Sequence, residues 1–212
     1  MNAQTQSLTL SGPAGAIEAS LDMPAPELFA SPLGTAVVAH PHPQFGGTMT
    51  NKVVQTIARA FVQCGWRALR FNFRGVGASS GVYDQGRGEL EDLLAVVQAQ
   101  APVGEPLALA GFSFGAFVTS HAVARLSSVR PVSSVVLVGT AVTRFEAAPV
   151  PADLHPKTLV IHGEHDDTVP LAAVLDWARP QSLPITVVPG GEHFFHGQLP
   201  LLKTLVARHV RA

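Results

Sequence analysis

Apolar residues in this chain fall into short continuous runs that alternate with stretches of helical spacing. The runs Thr35 to Ala39, Trp66 to Phe71, Pro106 to Ala110, Ser133 to Val138, Thr158 to His162 and Pro184 to Val188 have the length and flanking turn residues of strands buried on both faces. Between the first two, Asn51 to Gln63 sets Val53, Val54, Ile57, Ala58 and Phe61 on one face of a helix that Gly65 ends. Glu89 to Gln100, Phe114 to Leu126, Leu171 to Ala178 and Gln198 to Arg211 read as further helices, and Ser7 to Leu10 with Ala16 to Met23 as an amino-terminal hairpin. Strands and helices alternating through short connections predict an α/β fold, a mostly parallel sheet with helices on both faces. Such sheets bind ligands beyond the carboxyl ends of their strands.

Composition narrows this picture. With 212 residues, 47% of them apolar and 14% charged, one globular domain over residues 1–212 is expected. The net charge of −1 and singly scattered Lys and Arg argue against nucleic acid or a membrane surface as partner. Cys64, the single cysteine, lies in an apolar helical stretch beside Phe61 and Val62 and reads as core. Met1 to Leu10 has neither a basic residue nor an apolar run, so no signal peptide is read there, no run is long enough to span a membrane, and a cytoplasmic protein is expected. No repeat or low-complexity segment is visible. The longest irregular stretches are Arg74 to Gly88 and Gly139 to Lys157; the second leaves room for only a short excursion, which predicts an open site without a lid.

Candidate chemistry begins at Gly111-Phe112-Ser113-Phe114-Gly115, which fits Gly-x-Ser-x-Gly between an apolar run and helix-forming residues. In that setting glycines permit a tight strand-to-helix turn that exposes a serine hydroxyl, although a serine there can also be a plain helix N-cap. A serine becomes nucleophilic only beside a base that a third group orients. His193 and Asp166 follow later strands in the order Ser, Asp, His. Asp167 competes with Asp166, and His196 with His193. Asp166 is preferred because neighbouring residues of an extended segment point opposite ways. His193 is preferred because His196 lies a helical turn further on, while Phe194 and Phe195 beside His193 can exclude water. An oxyanion formed at Ser113 also needs backbone donors. The Phe114 amide is one. The other is sought in His40-Pro41-His42-Pro43-Gln44-Phe45-Gly46-Gly47, where the prolines have no N–H; His42 comes first by its offset from the strand end, with Gln44 and Phe45 behind it.

Taken together, these segments resemble the small lidless bacterial enzymes of the α/β-hydrolase superfamily related to dienelactone hydrolase. The resemblance rests on His40-Pro41-His42-Pro43 with Gly46-Gly47 and Asn51-Lys52-Val53-Val54, on Arg70-Phe71-Asn72-Phe73-Arg74-Gly75-Val76-Gly77, on the Ser113 pentapeptide and on His193-Phe194-Phe195-His196. It implies an α/β-hydrolase fold without a substantial lid and a serine carboxylesterase with neither metal nor organic cofactor. Dienelactone hydrolases proper use a cysteine nucleophile, so Ser113 disfavours a thiolate mechanism here. Asn72 stands where many relatives carry aspartate and reads as structural.

The expected substrate is a small soluble ester, with Phe45, Phe112 and Phe194 lining an apolar pocket and Phe114 and Phe195 as further candidates. A thioester or lactone would suit the same three residues. Two readings compete from other classes. His40, His42, His162, His165, Asp166, Asp167, His193 and His196 form a pool of metal ligands, but prolines follow both His40 and His42 and no carboxylate-histidine pair at helical spacing supports a site. A hydrolase fold without chemistry, acting as a binding scaffold, is opposed by the complete Ser, Asp and His set. Gly75-Val76-Gly77-Ala78-Ser79-Ser80-Gly81 lacks the spacing and lysine of a phosphate loop and reads as a flexible rim. A homodimer through an apolar edge strand is compatible with the pattern.

Overall fold

The computed structural model describes residues 5–211; Met1 to Gln4, part of the segment read as lacking an export signal, and Ala212 lie outside the described residues. The apolar runs become the strands of one eight-stranded sheet, ordered β1-β2-β4-β3-β5-β6-β7-β8. The central strands β3 (Thr35–Ala39), β5 (Leu107–Phe112) and β6 (Ser134–Val138) are buried along their whole length, as parallel strands covered on both faces must be. With β4 (Arg67–Phe71), β7 (Thr158–Gly163) and β8 (Ile185–Val188) they run parallel. The hairpin β1 (Thr5–Gly12) and β2 (Gly15–Asp22) joins antiparallel through β4.

Alternation along each strand divides the core in two. Val37, Leu109 and Leu137 face one layer with α2 (Arg87–Gln100), α3 (Phe114–Leu126) and α4 (Leu171–Ala178). Val38, Ala110 and Val136 face the other, filled by α1 (Lys52–Gln63) and α5 (Leu199–Arg211). Asn51 starts α1 as a side-chain cap, its Oδ1 accepting from the amides of Val53 at 2.9 Å and Val54 at 3.5 Å.

Several boundaries differ from the sequence reading by a residue or two, and two of them have a clear physical reason. Strand β5 continues past Ala110, because Gly111 and Phe112 pair with Leu137 and Val138; Ser113 is therefore the first residue beyond the strand. Helix α2 starts at Arg87, before Glu89, because the Glu89 carboxylate accepts from the amides of Asp84 at 2.9 Å and Gly86 at 2.8 Å and closes the first turn. Short 3-10 turns at Pro43–Phe45, Ala152–Lys157 and Arg179–Gln181 carry no signal of their own and were not anticipated. The segment Gly139 to Lys157 forms no lid and packs onto α3, Phe145 stacking on Phe117 at 4.7 Å. Among the described residues no helix is long and apolar enough to cross a membrane.

Candidate active site

Ser113 sits in the sharp turn between β5 and α3 with φ 56° and ψ −117°, a backbone conformation that side chains other than glycine rarely adopt. Its amide is held by the Val138 carbonyl at 2.8 Å. The flanking glycines are required by close approach: a Cβ at Gly111 would collide with the Gly115 carbonyl, and one at Gly115 would lie 2.5 Å from the carbonyl oxygens of Ala39 and His40. The turn leaves Ser113 7% exposed, with its hydroxyl facing His193.

The Ser113 hydroxyl donates to His193 Nε2 at 3.1 Å, and His193 Nδ1–H donates to Asp166 Oδ2 at 2.7 Å. Asp166 lies just beyond β7. Its other oxygen accepts from the amides of Thr168 at 3.0 Å and Val169 at 2.7 Å, so the carboxylate cannot swing away from the ring. Burial pushes the Asp166 carboxyl up, but the hydrogen bonds from His193 and Val169 outweigh it and hold it below the usual carboxylate range. Asp166 is thus an anion at neutral pH. His193 is 3% exposed, and Phe112 packs against its ring at 4.9 Å. Asp167 is exposed, and the His196 ring bonds to Glu192 at 2.9 Å on the surface; neither enters this arrangement.

His162, at the end of β7, was missed as a contributor. Its Nε2–H donates to the Val169 carbonyl at 2.8 Å and lies 3.5 Å from Asp166 Oδ2, pinning the turn that carries the aspartate. Burial lowers its pKa and keeps the ring neutral.

Phe114 opens α3, where first-turn amides have no partner within the helix. In the loop after β3 the amides divide cleanly. The Gln44 N–H donates to the His42 ring at 3.2 Å and that of Phe45 to the His42 carbonyl at 3.1 Å. Gln44 is therefore corrected as an oxyanion donor, its N–H consumed by the 3-10 turn, while the His42 amide stays free of any such bond among the described residues. The His42 ring also meets the Tyr83 hydroxyl at 3.2 Å.

The cleft over Ser113 has a volume of about 280 Å³. Phe45, 72% exposed, and Phe194, 43% exposed, form its mouth, and Phe114 its wall. Phe112 and Phe195 are corrected: both are fully buried in the core layer shared with α1 and α5, so they support the site from behind. Arg144, Phe145, Thr143 and Asn51 also line the cleft and were not anticipated, since no motif marks them. Asn72 is structural, bridging the Met49 amide at 2.8 Å and the Glu18 carboxylate at 2.7 Å. Of the histidines and carboxylates pooled as metal ligands, His162, Asp166 and His193 meet in the hydrogen-bonded arrangement above; among the described residues no three His, Cys, Asp or Glu are grouped to hold an ion.

The profile of the alpha/beta hydrolase fold family matches residues 42–156. An α/β serine hydrolase without a lid from Xanthomonas campestris is 38% identical and superposes with a TM-score of 0.86, covering 100% of this chain and 95% of that one. An α/β serine hydrolase homologue from Coxiella burnetii is 34% identical with a TM-score of 0.80, over 99% and 98%. An uncharacterised protein of Rickettsia prowazekii is 30% identical over 175 residues, 76% of this chain and 71% of that protein. A parallel sheet with Ser113 at the turn after its central strand, matched over its whole length by such structures, leaves one assignment: this chain belongs to the α/β-hydrolase family, among its serine hydrolases built without a lid.

Proposed function

We propose that this protein is a carboxylesterase that cleaves small soluble esters through an acyl-enzyme on Ser113. The observation that carries this reading is the continuous relay from the Ser113 hydroxyl through both nitrogens of His193 to the buried Asp166 carboxylate, at 3.1 and 2.7 Å.

Ser113 Oγ attacks the ester carbonyl as its proton passes to His193 Nε2. Asp166 keeps the Nδ1 proton in place and stabilises the imidazolium. The negative charge forming on the carbonyl oxygen is met by the amides of Phe114 and His42, and the positive end of α3 adds to this. His193 then gives its proton to the departing alcohol. Water, activated by the same ring, attacks the acyl carbon and frees Ser113. These steps draw on side chains and backbone alone, so the reading needs neither metal nor organic cofactor.

The size of the cleft supports a small substrate, because drug-sized ligands fill pockets of roughly 300–1,000 Å³. Without a lid, an emulsified long-chain lipid has no enclosing surface to enter. The test is labelling with a fluorophosphonate and mass spectrometry of the adduct. Stoichiometric modification of Ser113, abolished in Ser113→Ala together with hydrolysis of p-nitrophenyl butyrate, is the expected result; hydrolysis retained by Ser113→Ala would overturn the reading.

A further inference from the structure

Among the described residues, Arg144 is the one permanently charged side chain lining the cleft over Ser113, and no carboxylate lines it. Among the described residues it takes part in no ion pair, as is also true of Arg59, Arg130, Arg208 and Arg211, none of which lines the cleft. The exposed guanidinium rests beside an aromatic ring. Its Cζ lies 5.4 Å from the centroid of the Phe45 ring, which packs edge-on against His42 at 4.7 Å. Burial lowers the pKa of His42, and the charge of Arg144 lowers it further, so its field reaches the loop that carries the second oxyanion donor.

Arg144 is an exposed arginine at the mouth of a cleft lined by no carboxylate, and its contact with the Phe45 ring is one that arginines make at protein surfaces. One positioned there without a counter-ion can supply the fork of donors that matches a carboxylate. We propose that Arg144 recognises a carboxylate on the substrate, so that the preferred esters are small anionic ones, charged on the acyl or the alcohol part, and not neutral alkyl esters. A single negative charge is matched, since no second permanent cation lines the cleft. The inference rests on the esterase reading of the same site and names its substrate class.

The test compares p-nitrophenyl hydrogen glutarate with neutral p-nitrophenyl pentanoate, and 4-acetoxybenzoate with 4-acetoxybenzamide. A charge-assisted hydrogen bond at a partly exposed site gives about a tenfold preference, equal to about 1.4 kcal/mol. The expected result is an anionic-to-neutral ratio of kcat/KM of about ten in at least one pair, carried mainly by KM and reduced by salt. The ratio should approach one in Arg144→Gln and fall below one in Arg144→Glu. Equal ratios in the wild type and Arg144→Gln for both pairs would overturn the proposal. Calorimetric binding of the same compounds to Ser113→Ala, with and without Arg144→Gln, separates the two readings. Charge-selective binding that depends on Arg144 without any turnover refutes the esterase reading alone. Turnover of neutral and anionic esters at equal ratios, with binding blind to charge, refutes the carboxylate site alone.

Discussion

Acidification should destabilise this protein well before its carboxylates titrate, because His40 must remain neutral for the active-site loops to hold together. The ring is fully buried, and both nitrogens have fixed roles. Nε2 accepts from the Phe73 amide at 3.0 Å, so the proton sits on Nδ1, which donates to the Pro41 carbonyl at 2.6 Å. A second proton would set two donors against each other at Phe73. Burial lowers the His40 pKa to about 4, with the Pro41 bond only partly opposing it. In the unfolded chain the ordinary value of about 6.5 applies. Between these values the unfolded state binds a proton that the native state does not, so stability is fully present above about pH 6.5 and is lost as pH falls toward 4. The slope approaches 1.4 kcal/mol per pH unit, the loss reaches about 2 kcal/mol by pH 5, and the full difference is about 3 kcal/mol.

Urea unfolding followed by tryptophan fluorescence at pH 7, 6 and 5 measures this, with His40→Asn as the reference. Asparagine keeps a donor toward Pro41 but leaves the Phe73 amide unpaired, which costs about 1–3 kcal/mol at pH 7. Having nothing to titrate, the variant should lose about 2 kcal/mol less than the wild type on going to pH 5, and the two should converge. His162 and His42, also held neutral, contribute to both proteins and cancel in the comparison. Parallel pH dependences would refute the argument. If His40→Asn does not fold, an NMR titration of the wild type decides instead: a His40 ring that protonates near pH 6.5 contradicts the assignment.

Asp166→Asn should lower kcat by about 10,000-fold, the scale on which a serine triad depends on its aspartate, while Asp167→Asn stays within about twofold; ester hydrolysis of the two purified variants checks this. Gly139→Ala should lower kcat by about 10–100-fold, since Gly139 has φ +54° and a Cβ there would stand 3.3 Å from His193 Cε1 and Phe112 Cε2; a kcat equal to wild type would show that the ring yields freely. Tyr83→Phe removes the hydroxyl bonded to the His42 ring and should cost about 1 kcal/mol in kcat/KM, read as a roughly fivefold loss with the fluorophosphonate adduct still forming on Ser113.

The parts of the site that were legible in the sequence are those whose position is local to a strand end. Ser113, Asp166 and His193 each follow an apolar run within a few residues, and a parallel sheet brings such ends to one edge. Arg144, Tyr83 and His162 had no comparable signal. Arg144 reaches the cleft from an irregular segment beside Phe45, Tyr83 meets the His42 ring from another, and His162 looked like one more member of a histidine pool. Phe112 was misplaced although its parity held the answer. It shares a strand face with Ala108 and Ala110, which belongs to the core layer of α1 and α5. Phe194 and Phe195 divide similarly, one into the mouth and one into the core, because adjacent residues there point opposite ways.

The repeated histidine-proline pairs after β3 have a common physical sense once both rings are placed. Gln44 N–H donates to His42 Nδ1, so the proton of that ring is on Nε2 and points to the Tyr83 hydroxyl. His40 holds the opposite tautomer and grips Phe73. Each ring therefore ties the loop after β3 to the segment after β4, while Pro41 and Pro43 restrict the backbone between them and offer no amide to compete for an anion. The one N–H between the two prolines is that of His42. In the proposed mechanism, stabilisation of the oxyanion is strongest where donors need no rearrangement as charge develops, and the two rings hold the backbone on both sides of that amide, the His42 ring itself lining the cleft. A second proton on His40 would break its tie to Phe73, and one on His42 Nδ1 would set two donors against each other at the Gln44 amide while Nε2–H still faces Tyr83, so the neutral state that burial favours in each ring supports the geometry of this loop.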